Sequence, residues 1–243
     1  MEAAGKLLRK IWPSFPRTSA RHSRPPAEEA EGGRRISLLR DSDYPTIERC
    51  SRIGSEIGAA LSIESYIQQL DDINRDADDL LSNIADDQVN RAPGEGQWSI
   101  EQCFSHLIVC GYAELPHLQH AIRKGQQAGL SGKPPFRYGF LGNWFVLAMD
   151  ENGAIPFRAP RIYMPRAGYF HAAALAADSS DLQHQFAVCL EESSGLDLAR
   201  IRVTTAITKH ITFSLGQDFA LFLAHERRHV RQAYRVRSSF VDR

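Results

Sequence analysis

No two cysteines in this sequence stand two residues apart. The four present (Cys50, Cys103, Cys110 and Cys189) are scattered through 243 residues. That excludes a Cys-x-x-Cys redox or zinc motif and gives no disulfide framework. Reduced thiols in a cytoplasmic setting are the expectation. An excess of charge of either sign is also missing, because 29 Lys and Arg balance 29 Asp and Glu. Global charge therefore offers nothing to nucleic acid or to an anionic membrane. No apolar run approaches the ~18 residues of a spanning helix, so stable membrane association is not expected. Glycine-rich phosphate loops and internal repeats are absent as well. Apolar residues are plentiful, at 43%, enough to bury a core without covalent staples.

Residues 1–45 have the composition of a disordered basic leader, with Pro13, Pro16, Pro25 and Pro26 among scattered arginines. The stretch Lys6–Trp12 is basic and partly apolar but lacks the apolar segment of a secretory signal. A short helix is expected around Ile47–Ile57. The organised domain is expected over residues 60–240. Ile63, Tyr66, Ile67, Leu70, Ile73, Leu80, Leu81 and Ile84 recur at helical spacing and predict a helix over 62–84. Pro93, Gly94 and Gly96 mark the following 86–97 as a loop. Ser99-x-x-Gln102 is a capping box that opens a second helix, expected to continue, kinked at Pro116, to about Gln127. Residues 129–168 are rich in Gly, Pro and aromatics and read as a long irregular insertion, with a helix at 141–150 and an extended segment at 159–165. A third long helix is expected over 178–192. Residues 200–213 alternate apolar and polar, and are read as an extended connection because no partner strand is evident. Ser214-x-x-Gln217 is a second capping box, opening a last helix to about Ser238. Four long helices and little strand predict an all-α four-helix bundle with its long insertion between the second and third helices. In such a bundle, sites form from side chains facing the core.

The last helix carries His225-Glu226-Arg227-Arg228-His229-Val230-Arg231-Gln232. Histidines four apart share one helix face, the spacing with which a helix presents two imidazoles to one cation. His106, in the apolar stripe of the second helix, is the candidate third ligand. Three imidazoles suit a divalent metal, and a catalytic site of this kind keeps a position open. Cys103 and Cys110 flank His106 and could add a thiolate, although small apolar fillers of the core are the better reading. His117, His120, His171, His184 and His210 lie in polar contexts and read as solvent-facing. His225-Glu226-x-x-His229 also matches the zinc-peptidase pattern. Its extended form fails, since Gln232 and Arg235 stand where Gly and a third His are required. Glu226 is better read as a surface residue or one that supports the ligands.

At these residues the sequence resembles the DinB-like superfamily of four-helix, metal-dependent proteins. Three stretches carry the likeness: Gln97–Leu107 with its Trp98-Ser99 start and His106, Pro135–Gly139 with Arg158-Ala159-Pro160, and His225–Gln232. The resemblance spans roughly residues 60–240. It implies that nickel or zinc is held by His106, His225 and His229, and Gln232 matches the family's trailing Gln; Glu226 and Gln232 are candidates to support the ligands. The family's activities include S-transfer and isomerisation with low-molecular-weight thiols. The basic leader and the 129–168 insertion depart from the family pattern, so no particular substrate carries over. The leading expectation is therefore a metal-dependent enzyme acting on a small molecule, using a low-molecular-weight thiol or water. Arg137, Tyr138 and Arg161 are candidates to line its mouth and bind a carboxylate. The alternatives are a non-catalytic stress or interaction protein, with a structural metal closed by a fourth protein ligand or with none, and a metallopeptidase. A homodimer is the assembly kept open.

Overall fold

The computed structural model describes residues 62–150, 159–206 and 211–241. The expected leader over 1–45, the helix at 47–57, Cys50, Arg158 and His210 lie outside them. Four long helices carry the fold: α1 (Ile63–Ser82), α3 (Ile100–Gln127), α5 (Ala172–Glu192) and α6 (Leu215–Val241). Between them lie α2 (Asp86–Asn90), α4 (Phe140–Met149), a single 3₁₀ turn (Arg161–Tyr163) and two three-residue strands, β1 (Arg202–Thr204) and β2 (Thr212–Ser214).

Three of the four long helices begin at a side-chain cap. Ser62 accepts the Ser65 amide at 3.3 Å and starts α1. Ser99 and Gln102 exchange side-chain and backbone bonds of 3.1 and 3.0 Å at the start of α3. Ser214 and Gln217 do the same at α6. Pro116 lies within α3 without ending it; its side is exposed, and only the carbonyl four residues earlier loses a donor.

Three expectations change. The 86–97 loop contains α2, whose first turn holds Asp86 and Asp87, the charges that suit a helix N-terminus. Asp86 also reaches the start of α5, accepting the Ala172 amide at 2.8 Å, while Asn90 pairs with both backbone groups of Phe170. That distant support lets α5 begin at Ala172 rather than 178. The 200–213 connection is a hairpin: β1 and β2 pair antiparallel, Val203 opposite Phe213, so each segment is the partner the other needed. Within 159–165, the centre is the 3₁₀ turn rather than an extended run.

The long helices pack in a closed ring, α1 against α5, α5 against α3, α3 against α6 and α6 against α1. The consecutive long helices α1 and α3, and likewise α5 and α6, thus stand diagonally across the bundle, so the connections 83–99 and 193–214 must cross its ends, whereas α3 and α5 are neighbours. One apolar core fills the ring, from Tyr66, Phe104 and Leu118 through Phe186 to Phe219 and Val230. Phe186 stacks on Phe222 at 3.8 Å and meets Phe219 edge-on at 5.6 Å. The insertion is tied to this ring at α6, where Gln217 donates to Gly139 O at 2.6 Å and to Asn143 at 2.9 Å. No helix of the described residues is long and apolar enough to cross a membrane.

Candidate metal centre and cavity

His106 lies one and a half turns into α3, on the face turned to α6, and is 4% exposed. His225 and His229 stand one turn apart on α6. Their rings meet: centroids are 5.1 Å apart for His106 and His225, 4.7 Å for His106 and His229, and 4.7 Å for His225 and His229. One nitrogen from each ring lies within 4.8 Å of the other two, a group that could hold a metal ion. The Nε2 atoms of His106 and His225 are 3.1 Å apart. Two nitrogens on a tetrahedral zinc at 2.0–2.1 Å would stand about 3.3 Å apart, so the donor set fits with small adjustment.

The outer nitrogens of two rings are engaged. His106 Nδ1 lies 2.6 Å from the carbonyl of Tyr163, and His229 Nδ1 lies 3.0 Å from Gln232 Oε1. Both partners are acceptors, so Nδ1 carries the proton in each ring and Nε2 presents a lone pair. Carbonyl and amide oxygens behind imidazoles in this way fix tautomer and orientation in metal sites. Trp98 stacks on His229 with ring centres 5.7 Å apart and lies 5.0 Å from His106. Burial holds all three imidazoles below their ordinary range. His229 is pushed down to about 3, chiefly by desolvation and next by His106 and Arg228. His225 falls well below the usual value for the same first reason, with His229 and His106 adding to it. For His106, desolvation outweighs the bond to Tyr163. Neutral imidazoles with aligned lone pairs are the form that binds a cation.

The triad forms part of the wall of a cavity of about 890 Å³ between α3 and α6, lined also by α4, the 3₁₀ turn and the hairpin. Phe145, Met149, Leu221 and Phe222 supply apolar wall; Glu114, Asp218, Arg228 and Arg235 supply ionisable groups. The family model described as the DinB superfamily matches residues 69–233. The chain belongs to the DinB superfamily. No curated protein and no solved structure matches it. The family match runs from within α1 to within α6 and takes in all three histidines.

The remaining residues singled out from the sequence fall in different places. Cys110 lines the cavity with its sulfur 3.6 and 3.7 Å from the His106 nitrogens, yet neither it nor Cys103 joins the three-histidine group. Both thiols are held protonated by burial, Cys103 up to about 12. Glu226 is not a surface residue: it is 2% exposed and accepts 2.7 Å from Gln183 Nε2 on α5. Its side of α6 faces the core, which the reading of Glu226 as a surface residue did not anticipate. Glu226 also does not line the cavity. Desolvation raises its carboxyl to about 8. Arg137 and Arg161 are exposed and Tyr138 packs near Gly216; none of the three lines the cavity. His120, His171 and His184 are exposed, and His117 is half-buried beside Glu114. Tyr163, Glu114, Asp218 and Thr205 were not singled out in the sequence. Only the alternation of position with His106 and His225 on the same helix faces, at i+8 and i−7, signals the two acids.

Proposed function

We propose that this DinB-superfamily protein is a metal-dependent enzyme that takes a low-molecular-weight thiol, or water, together with a small electrophilic substrate. The observation that carries this reading is the pairing of a three-imidazole group with an 890 Å³ cavity and, among the described residues, no fourth protein ligand in the group. A structural site would be closed by a fourth side chain. His106, His225 and His229 would hold nickel or zinc, and a divalent cation there lowers the pKa of a bound thiol or water. Tyr163 O and Gln232 keep two of the imidazoles in register. Trp98, Phe145 and Phe222 give the cavity wall apolar surface. A peptidase reading loses its base, because Glu226 is bonded to Gln183 and turned away from the cavity.

The test is metal content of the purified chain, wild type against His229→Ala, followed by a conjugation screen with several small thiols and electrophiles. Stoichiometric metal in the wild type and its loss in the variant are expected. A wild type without metal after incubation with zinc or nickel would end this reading.

A further inference from the structure

The cavity has a second polar region that the metal reading does not use. It lies two helical turns from the triad, where Glu114 of α3, Asp218 of α6 and Thr205 at the end of β1 reach the wall together. Asp218 is 2% exposed and Thr205 5%. Among the described residues, Asp218 Oδ2, Thr205 Oγ1 and Glu114 Oε1 are withdrawn from solvent and have no hydrogen-bond partner. The other Glu114 oxygen accepts the amide of Ala206 at 3.0 Å, which fixes this carboxyl beside Thr205. Buried acceptors without donors are costly, and three in one corner are unusual in a well-packed protein. Among the described residues, the one cationic group that acts on either carboxyl is His117, near Glu114.

We propose that this corner is a cation subsite: Glu114, Asp218 and Thr205 receive the primary ammonium group of the small molecule that enters the cavity. An ammonium carries three donors and one positive charge, matching three vacant acceptors and an acidic pair. Empty, burial favours the protonated form of both carboxyls, and the nearness of Glu114 adds to this at Asp218. A bound ammonium replaces that proton with a fixed cation and satisfies the oxygens directly. Seven residues separate Asp218 from His225 and eight separate His106 from Glu114, a rise of roughly 10–12 Å along either helix. The ligand class is therefore an amine whose charged end lies about that far from the atom presented to the imidazoles. The inference extends the proposed function, from which it takes only that the cavity holds a small molecule.

The probes are n-hexylammonium chloride and its neutral counterpart 1-hexanol, titrated calorimetrically into the metal-free full chain at pH 7. Hexylammonium is expected to bind at least ten-fold more tightly than hexanol. The Glu114→Gln/Asp218→Asn variant should lose that preference while still binding hexanol, which shows that its cavity is intact. Thr205→Val, a milder change, should reduce the preference several-fold. His229→Ala should keep it while losing metal. Equal binding of the two probes to wild type, no binding of either, or a preference that survives the double amide change overturns the subsite. A preference in a chain that takes up no metal leaves the subsite standing and removes the metal reading; metal without preference does the reverse.

Discussion

Gln232 shows how one side chain can govern a site it does not enter through chemistry. Its amide oxygen takes the His229 Nδ1 proton at 3.0 Å and so aims Nε2 at the other two rings. Removing such a support typically weakens metal affinity 10–100-fold. Gln232→Ala should therefore weaken zinc binding by that factor in a competition titration, whereas Gln232→Glu, which keeps an acceptor, should bind at least as well as wild type. Equal affinity in the alanine variant would mean that the ring is held by Trp98 stacking alone. Asp218 allows a second prediction with a definite sign. Desolvation, and after it Glu114, raises its folded carboxyl well above the usual 3.8. The stabilisation from its protonated form is complete below that ordinary value and is lost as pH rises toward the folded value. Asp218→Asn removes this dependence. In metal-free protein the variant's stability advantage should widen from pH 5 to pH 8, by up to ~1.4 kcal/mol per pH unit. A constant gap in denaturant melts would show that the native carboxyl is ionised throughout. The histidines were legible because i, i+4 spacing and an apolar stripe are local signals. Glu114 and Asp218 were not, since a single acid on an amphipathic helix looks like part of its wet face. Only the ring order of the helices turns them toward a cavity.

At the scale of elements, cap chemistry was the most readable signal. Ser99 with Gln102 and Ser214 with Gln217 start α3 and α6 as their spacing predicts. What could not be read locally was support across the chain. Asp86 and Asn90 lie about 80 residues before the start of α5 and hold it from a different connection. The hairpin was missed for a similar reason, because its two three-residue strands are each below the length at which alternation is persuasive. Helix approach brings its own constraint at Gly111, where α3 meets α5. A Cβ there would stand 2.4 and 2.7 Å from the two methyls of Leu182, which is itself buried. Gly111→Ala gains about 1 kcal/mol of helix propensity against an overpacking cost of about 1–3 kcal/mol. A net loss of roughly 1 kcal/mol is expected. Leu182→Ala alone should cost about 2–5 kcal/mol. The double variant should be more stable than the sum of the two losses by ~1 kcal/mol, because the new methyl occupies space the leucine vacates. Strict additivity in urea melts would mean that the two helices separate freely at this point.

Across the whole molecule, the triad bridges two helices that lie far apart in sequence. α3 and α6 are neighbours in the ring, yet 87 residues of insertion, α5 and hairpin lie between the end of one and the start of the other. A cation held by His106 on one side and by His225 and His229 on the other would pin that closure in the folded state alone, since the unfolded chain does not assemble the three rings. Mass action then turns metal affinity into stability, about 2.7 kcal/mol at a free metal concentration 100 times the dissociation constant. For a domain of this size that corresponds to a rise in Tm of about 5–10 °C. The rise should be reversed by a chelator and absent in His229→Ala, whose metal-free Tm need not differ much from that of metal-free wild type because, among the described residues, His229 makes a single side-chain hydrogen bond, to Gln232. Lower metal-free stability in the variant together with an undiminished zinc-induced shift would place the cation elsewhere. The same melt read at 100 times the dissociation constant in Gln232→Ala, with affinity measured independently, should recover the full shift at a higher metal concentration. This separates a residue that orients a ligand from one that is a ligand.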